Sequence, residues 1–376
     1  MFVTTNFCLT SEKEGVKITF NSKNNHNHIV TSSEINETIT SSELENSTLS
    51  KEKIAESAAS KETQPIICIG GANVDRKLYA KNKIVSGTSN PVQSSRTVGG
   101  VARNIAENLG RLGEKVTFLS VGGLDLEWQE IYEASSPFMN LDHVVQLEHR
   151  STGSYTAVLD TDGDLSIALA DMDIYEEITP ALLEGKSDIL KEAKCIVVDL
   201  NCPGETINFL CQFTAKHEIP LVVIPVSSPK MDRLPESLSS VSWLIVNKDE
   251  TESFFKAKLQ SYNDWENSVT KWLELGAKNV IVTNGAKGVI VGTETGVIRH
   301  YPAVETPLVV DVTGAGDSFC SAIIYSWLKN IKLDSIIKSG LVNAHKTIVS
   351  KYTVRKELSE KQIKIDMEEV LNEKIH

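Results

Sequence analysis

An aspartate near the end of the chain directly follows three small residues, in the stretch "VTGAGDSF". Gly314, Ala315 and Gly316 carry no large side chain that would keep a ligand away from the backbone. The residues after Asp317 have apolar positions at helical spacing, which predicts a helix that begins here. Free N–H groups at the start of a helix bind anions, and a carboxylate beside them would repel a phosphate. Two interpretations are open at this point: the amides of Gly314, Ala315 and Gly316 bind a phosphate while Asp317 takes a proton beside it, or Asp317 is an acid in a first helical turn, where the helix dipole favours one.

The overall composition limits the classes of partner. The chain has 376 residues, enough for one large or two ordinary domains, and a formal net charge of −12. This acidic balance disfavours binding to nucleic acid or to an anionic membrane. No apolar stretch approaches the roughly 20 residues that a membrane span needs. The sequence therefore predicts a soluble, cytoplasmic protein without a nucleic-acid or membrane partner.

The six cysteines show no CxxC pair and no cysteine–histidine spacing that is typical of a metal site. Most of them lie inside apolar runs, as in "KCIVVDL". This placement predicts buried, reduced thiols.

Residues 1–63 differ from the rest of the chain. The stretch "TSSEINETITSSELENSTLSKEKIAESAASKETQ" is rich in Ser, Thr, Glu and Lys and has few large apolar residues. Such a segment cannot bury enough surface to offset its ordering entropy. It has no Arg and many Glu, which is unlike a transit peptide. We expect residues 1–63 to be a disordered polar tail.

Short β-branched runs alternate with amphipathic helical patterns from residue 64 to residue 360. Continuous apolar strands that alternate with helices indicate an α/β domain whose mostly parallel sheet is covered on both faces. Ligands of such sheets bind at the carboxyl ends of the strands. The runs are "IICIGG", "VTFLSVGG", "CIVVDL", "PLVVIPV", "SWLIVN" and "NVIVTNG".

Two stretches interrupt this alternation. Residues 76–98 are polar and rich in turn-forming residues, and residues 150–172 contain two strand-like runs around an Asp-Gly turn. We expect them to form a small β lid that projects from the main domain. Two ordinary surface insertions are the alternative. Residues 361–376 are expected to form a C-terminal helix or tail.

Several common nucleotide-binding signatures are missing from the sequence. There is no GxxxxGK[ST] P-loop and no complete GxGxxG after a strand, which disfavours a Rossmann dehydrogenase. The protein-kinase signature HRD with a later DFG is also missing. A nucleotide would therefore have to be held in another way.

"VTGAGDSF" resembles the second signature of the ribokinase-like (phosphofructokinase B) family of carbohydrate kinases. Three further stretches resemble motifs of that family in order and separation: "GGANVD", "VGGVARNIAENLGRLG" and "VNKDE". Four ordered motifs are far more specific than any one of them. The resemblance covers residues 64–360 and implies a three-layer α/β fold with a central, mostly parallel sheet and a small β lid. It also implies a phosphotransferase that uses ATP and Mg²⁺ on an alcohol group of a small molecule.

Longer stretches are similar to one branch of the family. The stretch that begins "GGANVDRKLYAKNKIVSGTSNP", with "LADMDI" and "DLN" further on, resembles the branch that phosphorylates pseudouridine at its ribose 5′-hydroxyl. Substrate choice in the family rests on a few lid side chains, so a kinase of ribose or of another sugar or nucleoside is the alternative enzyme. A non-catalytic nucleoside-binding protein on the same fold is the alternative from another class. An acid at 317 beside an amide anion site disfavours that second alternative.

The resemblance implies that five residues contact the substrate. In the family the acid that matches Asp75 holds sugar hydroxyls, since a carboxylate can accept two of them, and Asn73 lies two positions earlier. Gly99 and Gly100 would bring backbone amides to the sugar, and Asn104 would point back to it from the first helical turn. A strand-end turn and a tight turn before a helix explain the same residues structurally, and both interpretations can hold together.

The nucleotide and metal contacts that the resemblance implies lie later in the chain. Asn247 and Glu250 of "VNKDE" would order Mg²⁺ and its waters, because hard oxygen ligands suit that ion. An exposed charged loop is the alternative for this stretch. The other expected nucleotide-binding residues are Gly285, Gly288, Thr313 and Asn343.

The sequence departs from the family pattern at two places. Val312 replaces the first Asp of the DTGAGD signature, with Asp311 one position earlier, and Ile224 stands where an acid is often found. In relatives the region around Val312 helps to bind a monovalent cation, so K⁺ is a candidate cofactor whose site this change puts in doubt. Relatives often dimerise through their lids, and an exposed strand edge invites pairing, so a homodimer through the lid is a further expectation.

Overall fold

The structure is a computed structural model that describes residues 6–12, 15–21, 64–306 and 308–373, with side-chain surroundings for 64–306 and 308–370. The chain divides into two units, residues 1–62 and residues 63–376. In the first unit, strands β1 (Asn6–Glu12) and β2 (Gly15–Asn21) pair antiparallel.

This hairpin lies within the tail that the sequence predicts to be disordered. Apolar residues alternate with polar ones at Val16, Ile18 and Phe20, which is the period of a strand. The composition of the tail as a whole conceals this short local pattern. The remaining tail residues lie outside the described part of the chain, and their disorder stays a prediction.

The second unit contains strands and helices in alternation. Its strands, in chain order, are β3 (Ile66–Ile69), β4 (Asn73–Ala80), β5 (Val92–Gly99), β6 (Val116–Leu119), β7 (Val121–Gly123), β8 (Val145–Leu147), β9 (Ser154–Leu159), β10 (Leu165–Asp171), β11 (Cys195–Asp199), β12 (Leu221–Ile224), β13 (Val241–Asn247), β14 (Asn279–Thr283), β15 (Val289–Thr293) and β16 (Ile298–Tyr301). Its α-helices are α1 (Val101–Arg111), α2 (Leu126–Ser135), α3 (Pro180–Glu184), α4 (Ser187–Lys191), α5 (Gly204–His217), α6 (Lys248–Phe255), α7 (Tyr262–Glu274), α8 (Ala315–Leu328), α9 (Leu333–Ile348) and α10 (Glu360–Glu373).

The largest sheet has eight strands in the order β16-β15-β14-β13-β12-β11-β3-β6. The strands from β14 to β6 are parallel, and β15 and β16 extend one edge antiparallel. All six apolar runs that the sequence analysis identified contribute strands to this sheet. The antiparallel extension by β15 and β16 was not predicted.

Both faces of the large sheet are covered. Ile66 and Cys68 of β3 belong to one apolar core, and Ile67 and Ile69 belong to the other. Residues of α1, α8 and α9 pack in the first core, and residues of α5 and α7 pack in the second. Because successive strand residues point to opposite faces, a strand that is apolar throughout needs helices on both sides. The predicted three-layer α/β fold is confirmed.

A second sheet has four strands in the order β10-β9-β4-β5, and we call it the lid sheet. The β9–β10 hairpin lies within 150–172 and turns at Asp162–Gly163, as the sequence predicts. Residues 76–98 supply most of the β4–β5 hairpin. The two hairpins join through parallel pairing of β4 with β9. The small β element that was predicted in addition to the main sheet is present.

Helix α10 lies where the sequence predicts a C-terminal helix or tail. Its Ile363 and Val370 are buried. Asp366 of α10 forms a buried ion pair with Arg355 at 2.9 Å. The helix is therefore packed as part of the second unit.

The cysteines other than Cys8 are free and buried, as predicted; the side chain of Cys8 lies outside the described residues. Within the described part of the chain, the helices are all too short or too polar to cross a membrane.

Candidate active site

The candidate site lies at one edge of the large sheet, where parallel strands end side by side. The strand register places Ile69 beside Val198, and it places Asn247 beside Thr283. Parallel strands direct their carboxyl ends to the same edge, which is where ligands of such sheets bind. The polar residues that follow β3, β11, β13 and β14 are therefore brought to one side of the molecule.

Asn104 and Asp317 come into direct contact in the structure. Asn104 on α1 donates from Nδ2 to the Asp317 carboxylate at 2.7 Å, across 213 residues of sequence. Burial raises the pKa of Asp317 to about 7, the Asn104 hydrogen bond opposes this rise, and the charges of Asp199 and Asp75 add to it. A carboxylate with a pKa near neutrality is well suited to take a proton from a hydroxyl group.

The two glycines before Asp317 have different structural roles. Gly314 precedes α8 with φ of +79°, and a Cβ there would lie 2.2 Å from the carbonyl oxygen of Thr353. Only glycine adopts this conformation without strain. At Gly316 a Cβ would meet no heavy atom within 4 Å, so this residue faces open space. Gly314 turns the chain, and Gly316 leaves room for a ligand at the start of the helix.

The amide of Ala315 departs from its predicted role. The Ala315 N–H donates to the carbonyl oxygen of Val312 at 3.2 Å, so the turn already uses this donor. The first N–H groups of a helix have no partner inside the helix. In α8 the amides of Gly316 and Asp317 occupy such positions. An anion site at this helix start therefore draws on these two amides rather than on that of Ala315.

Asp75 and Asn73 are held together at the start of β4. Asn73 donates from Nδ2 to the Asp75 carboxylate at 2.6 Å. A Cβ at Gly99 would lie 2.2 Å from Oδ2 of Asp75, so glycine at 99 leaves the space that this carboxylate occupies. Burial raises the pKa of Asp75, while Asn73, Arg103 and Lys77 lower it. The structure thus brings these three predicted substrate residues together.

Gly100 forms the tight turn before α1. Its φ is +102°, and a Cβ there would lie 2.3 Å from the carbonyl oxygen of Gly71. The Asn104 N–H then donates to the Gly100 carbonyl at 2.8 Å. The structural interpretation of these residues therefore holds, alongside the contact that Asn104 makes with Asp317.

The sequence analysis missed Asp199, the last residue of β11. Its buried carboxylate accepts hydrogen bonds from the N–H groups of Gly71 at 3.1 Å, Ala102 at 3.0 Å and Asn201 at 2.9 Å. Burial raises the pKa of Asp199, and these hydrogen bonds oppose the rise. Asp199 joins the loop after β3 to the start of α1. The available signal was an acid at the end of the apolar run "CIVVDL", because a buried carboxylate needs specific partners.

Tyr175 and Lys230 support the same loop and were also missed. The Tyr175 hydroxyl accepts from the Ala72 N–H at 3.1 Å and donates to the Ala72 carbonyl. Lys230 donates to Oδ1 of Asn201, and Nδ2 of Asn201 donates to Asp199 at 2.9 Å. Burial lowers the pKa of Lys230, and the charge of Asp199 opposes this. Neither residue belongs to a motif, so no local signal identified them.

Asn247 and Glu250 form a capping box at the start of α6. Oδ1 of Asn247 accepts from the Glu250 N–H at 2.8 Å, and Oε2 of Glu250 accepts from the Asn247 N–H at 2.8 Å. The alternative of an exposed loop is wrong for Glu250, which is 3% exposed. Burial raises the pKa of Glu250 to about 7, and the charge of Asp249 contributes to this rise.

The surroundings of Glu250 fit a divalent cation nearby. The Glu250 carboxylate accepts the Asn247 N–H but has no lysine or arginine partner among the described residues, and burying a carboxylate without a charge partner is costly. Among the residues that the structure describes, no cluster of three or more His, Cys, Asp and Glu could hold a metal ion by itself. Mg²⁺ usually keeps several waters and binds one or two carboxylates together with substrate phosphates, so a single buried carboxylate such as Glu250 can take part in its site.

The loop after β14 lies next to Asn247, because Asn247 pairs with Thr283. Gly285 has φ of +50° and open space around its Cβ position. At Gly288 a Cβ would lie 2.1 Å from the carbonyl oxygen of Tyr301, so glycine there serves the turn into β15. The loop is placed where a nucleotide could reach it, with Gly285 as its open position.

Asn343 lies away from any open surface, contrary to its predicted place near adenine. Its side chain is completely buried. Nδ2 of Asn343 donates to the Ser318 carbonyl at 2.8 Å, and Oδ1 accepts from Arg355 at 2.9 Å. The amide is therefore used within the protein, where it ties α9 to the first turns of α8. Helical periodicity alone does not show that a polar side chain is satisfied by another element.

The Asp311 carboxylate, in the region where the resemblance implies a monovalent-cation site, is already engaged by other groups of the protein. The Val312 side chain is 69% exposed. Oδ1 of Asp311 accepts from the N–H and Oγ1 of the predicted nucleotide residue Thr313, at 2.9 Å and 2.7 Å. Oδ2 of Asp311 pairs with Lys77 at 2.9 Å. A cation bound by the Asp311 carboxylate would have to displace this lysine.

Residues 63–359 match the model of the pfkB family of carbohydrate kinases, and the chain belongs to this family. The fold and the match over most of the chain make it a sugar or nucleoside kinase, a phosphotransferase with an alcohol group as acceptor.

Three known proteins illustrate the relationship. The chain is 27% identical over 300 residues to pseudouridine kinase of Escherichia coli strain K12, covering 80% of this chain and 95% of the relative. It is 24% identical over 277 residues to ribokinase of Bacillus subtilis strain 168, covering 73% of this chain and 89% of the relative. The structure of Arabidopsis thaliana ribokinase complexed with ribose and ATP superposes with a TM-score of 0.73 at 19% identity, covering 81% of this chain and 99% of that one. This last likeness shows the ribokinase fold.

Proposed function

We propose that this chain transfers the γ-phosphoryl group of ATP to the 5′-hydroxyl of a nucleoside, with pseudouridine as the preferred acceptor. The observation that carries the proposal is the contact between Asn104 and Asp317, which holds a carboxylate with a pKa of about 7 at the start of α8. Similarity to the pseudouridine kinase of Escherichia coli over 80% of the chain supports the choice of acceptor.

In the proposed reaction, Asp317 accepts the proton of the acceptor hydroxyl. The hydroxyl oxygen forms a bond to the γ-phosphorus while the bond from phosphorus to the leaving ADP oxygen breaks. The N–H groups of Gly316 and Asp317 stabilise the negative charge on the transferring group. Asn104 orients the Asp317 carboxylate, and Asp75 with Asn73 orients the acceptor through its sugar hydroxyls. Positioning and charge stabilisation supply most of the catalysis in this type of reaction.

We assign the nucleotide and its metal ion to the residues that follow β13 and β14 at the same edge of the sheet. When bound, Mg²⁺ neutralises the charge of the ATP phosphates. Glu250 and Asn247 would hold the ion, in part through water, since their carboxylate and amide oxygens suit it. Thr313 and the loop from Gly285 to Gly288 would contact the nucleotide.

The lid sheet supports a nucleoside acceptor rather than a bare sugar. The register places Tyr155 beside Asp75 and Ala170 beside Tyr155, so these three side chains share one face. Ala157 and Ala168 share the same face two residues along their strands. Small alanine side chains next to a tyrosine leave room for a planar base beside the hydroxyl-binding aspartate.

Substrate preference tests the proposal directly. Purified full-length protein would be assayed with ATP and Mg²⁺ against pseudouridine, uridine, adenosine, ribose and fructose. We expect kcat/KM for ribose to be lower than that for pseudouridine by about 10² or more, because ribose lacks the base whose binding energy orders the lid. Equal efficiency on ribose would leave a general sugar kinase. Tight binding of pseudouridine without turnover would favour a non-catalytic binding protein.

We also propose that the chain forms a homodimer through the lid sheet. Leu165, Ile167 and Leu169 of the edge strand β10 are each more than half exposed, at 57%, 51% and 57%. Ile167 and Leu169 lie on the face opposite to Asp75, so a second copy could cover them without blocking the site. Sedimentation analysis of Leu169→Lys should show a shift towards monomer. A wild-type monomer at micromolar concentration would contradict the dimer.

A further inference from the structure

The segment that leads into α8 is held by few side chains. Within residues 302–313, which we call the approach segment, the structure describes every residue except 307, and none of those described is buried. Large apolar side chains in the segment are half or more exposed: Leu308, Val309, Val310 and Val312. A segment without buried apolar side chains opens at low free energy. Its polar contacts therefore decide how firmly the turn at Gly314 is held.

Most of those polar contacts involve Asp311. The N–H groups of Val310 and Asp311 donate to the carbonyl oxygen of Ile348 at 2.8 Å and 3.2 Å. The Asp311 carboxylate holds Thr313 through one oxygen and Lys77 through the other. The contact with Lys77 spans 234 residues of sequence and joins the approach segment to the lid sheet.

Lys77 lies on the best-supported part of the lid sheet. Strand β4 is paired on both sides, with β5 and with β9. Lys77 follows Asp75 by two residues on the same strand, so both side chains point to the same face. An ion pair made by Lys77 thus fixes the approach segment relative to the carboxylate that is expected to hold the acceptor.

We propose that Lys77 and Asp311 are a positioning pair that holds the phosphate-binding turn in register with the lid sheet. The inference rests on the phosphoryl-transfer role proposed above for the start of α8. The pair has two effects. Lys77 neutralises a carboxylate next to the turn that is expected to receive phosphate, and through Asp311 it keeps Thr313 in place.

The charge state of Asp311 is consistent with this role. Burial raises the pKa of Asp311, but the hydrogen bonds from Thr313 and the charge of Lys77 outweigh that effect and lower it. Both side chains of the pair are 34% exposed, which leaves the contact partly shielded from solvent. Its partial burial makes the contact less sensitive to salt than a fully exposed ion pair.

Steady-state kinetics of single and double variants test the pair. Lys77→Met removes the charge and keeps the length of the side chain, and Asp311→Asn keeps the shape of its partner. We expect each single variant to raise KM for ATP by about three- to tenfold, with a smaller change in kcat. In the double variant, KM for ATP should rise no more than in the more impaired single variant, because the two residues act through one contact. The proposal would be overturned if the two single increases in KM for ATP multiplied in the double variant, or if KM for ATP were unchanged in both single variants.

A matched control comes from an ion pair far from the site. Lys364 pairs with Glu360 at 2.7 Å within α10, and both side chains are exposed. Lys364→Met removes the same kind of charge from a helix surface. It should leave KM for ATP and kcat unchanged.

Hydrogen–deuterium exchange separates a failure of this inference from a failure of the proposed function. In Lys77→Met without ligands, amides of the approach segment should exchange about three- to tenfold faster, while those of α10 stay unchanged. This readout needs no turnover, so it tests the pair even if none of the acceptors is phosphorylated. Unchanged exchange in the approach segment would overturn the positioning role.

Discussion

The two segments that meet at the candidate active site are held in opposite ways. The loop from Gly70 to Ala72 follows β3, an interior strand of the large sheet, and its amides bond to the buried Asp199 and Tyr175. The approach segment follows β16, an edge strand, and none of its described residues is buried. The side that we propose for the acceptor is thus built into the core, whereas the side that we propose for the phosphate is attached by surface contacts.

This difference suits a transfer between two substrates. In the proposed reaction, a fixed acceptor side would keep a hydroxyl group aligned with Asp317, and alignment supplies much of the rate in phosphoryl transfer. A loosely held phosphate side would let a nucleotide enter and leave, and contacts with the nucleotide would then order the segment. The contact between Asn104 and Asp317 links the two sides.

The largest expected effect is the loss of turnover in Asp317→Asn. The amide keeps the size of the side chain and part of its hydrogen bonding, but it cannot accept the proton. We expect kcat to fall by roughly 10²–10⁴. ATP binding, measured by calorimetry, should persist or tighten because a negative charge next to the phosphates is gone. Asp188→Asn, at a side chain that is 96% exposed on α4, is the control and should be fully active. Near-normal turnover of Asp317→Asn would place the base elsewhere.

Replacing Gly314 and Gly316 one at a time separates a loss of space for the ligand from a loss of folding stability. Gly316→Val places its side chain in open space, so thermal stability should change little while ATP affinity and kcat fall about tenfold or more. Gly314→Val meets the Thr353 carbonyl and an unfavourable φ, so it should lose about 2–4 kcal/mol of free energy of unfolding. Thermal melts and ATP titrations of both variants check this. Equal losses of stability in both variants would contradict the division of roles.

Removing one carboxylate from each side of the site tests whether the two sides are held with different strength. Asp199→Ala leaves the buried amides of Gly71 and Ala102 without an acceptor and should cost about 2–4 kcal/mol of free energy of unfolding. Asp311→Ala, on the partly exposed approach segment, should cost at most about 1 kcal/mol. Denaturant unfolding of both variants gives the two values. A larger cost for Asp311→Ala would reverse the assignment of the fixed and the loosely held side.

The smallest expected effect is a pH-dependent gain of stability in Asp317→Asn. The pKa of Asp317 is raised to about 7 in the folded chain, against about 3.9 for an unperturbed aspartate. The folded state therefore binds the proton more tightly, and the contribution of Asp317 to stability falls as pH rises from about 4 to about 7. Asp317→Asn escapes this loss, so its melting temperature should exceed that of the wild type by a few degrees more at pH 8 than at pH 4.5. A difference that is the same at both pH values would indicate an ordinary pKa for Asp317.

Local patterns in the sequence were sufficient to predict the fold class and to single out several residues that the structure brings together. Each strand of the parallel sheet is a short, mostly apolar run, and a run of this kind is visible without knowledge of its neighbours. The small residues before Asp317 and the glycines before α1 are likewise short-range features. Asn104 and Asp317 were therefore singled out separately, although nothing in either motif stated that the two side chains touch.

Tertiary structure alone decided which side chains face each other. Asp199 became visible as a support of the site only when β11 was placed beside β3, and Asn343 proved to be buried only when Arg355 was seen to reach it. The pair of Lys77 and Asp311 joins residues 234 positions apart. Such contacts depend on the register of strands and on how helices pack against them. A local sequence pattern specifies neither the register nor the packing. The sequence by itself determined the strands and helices that build the parallel sheet and their order along the chain, and packing determined the chemistry of the carboxylates between them.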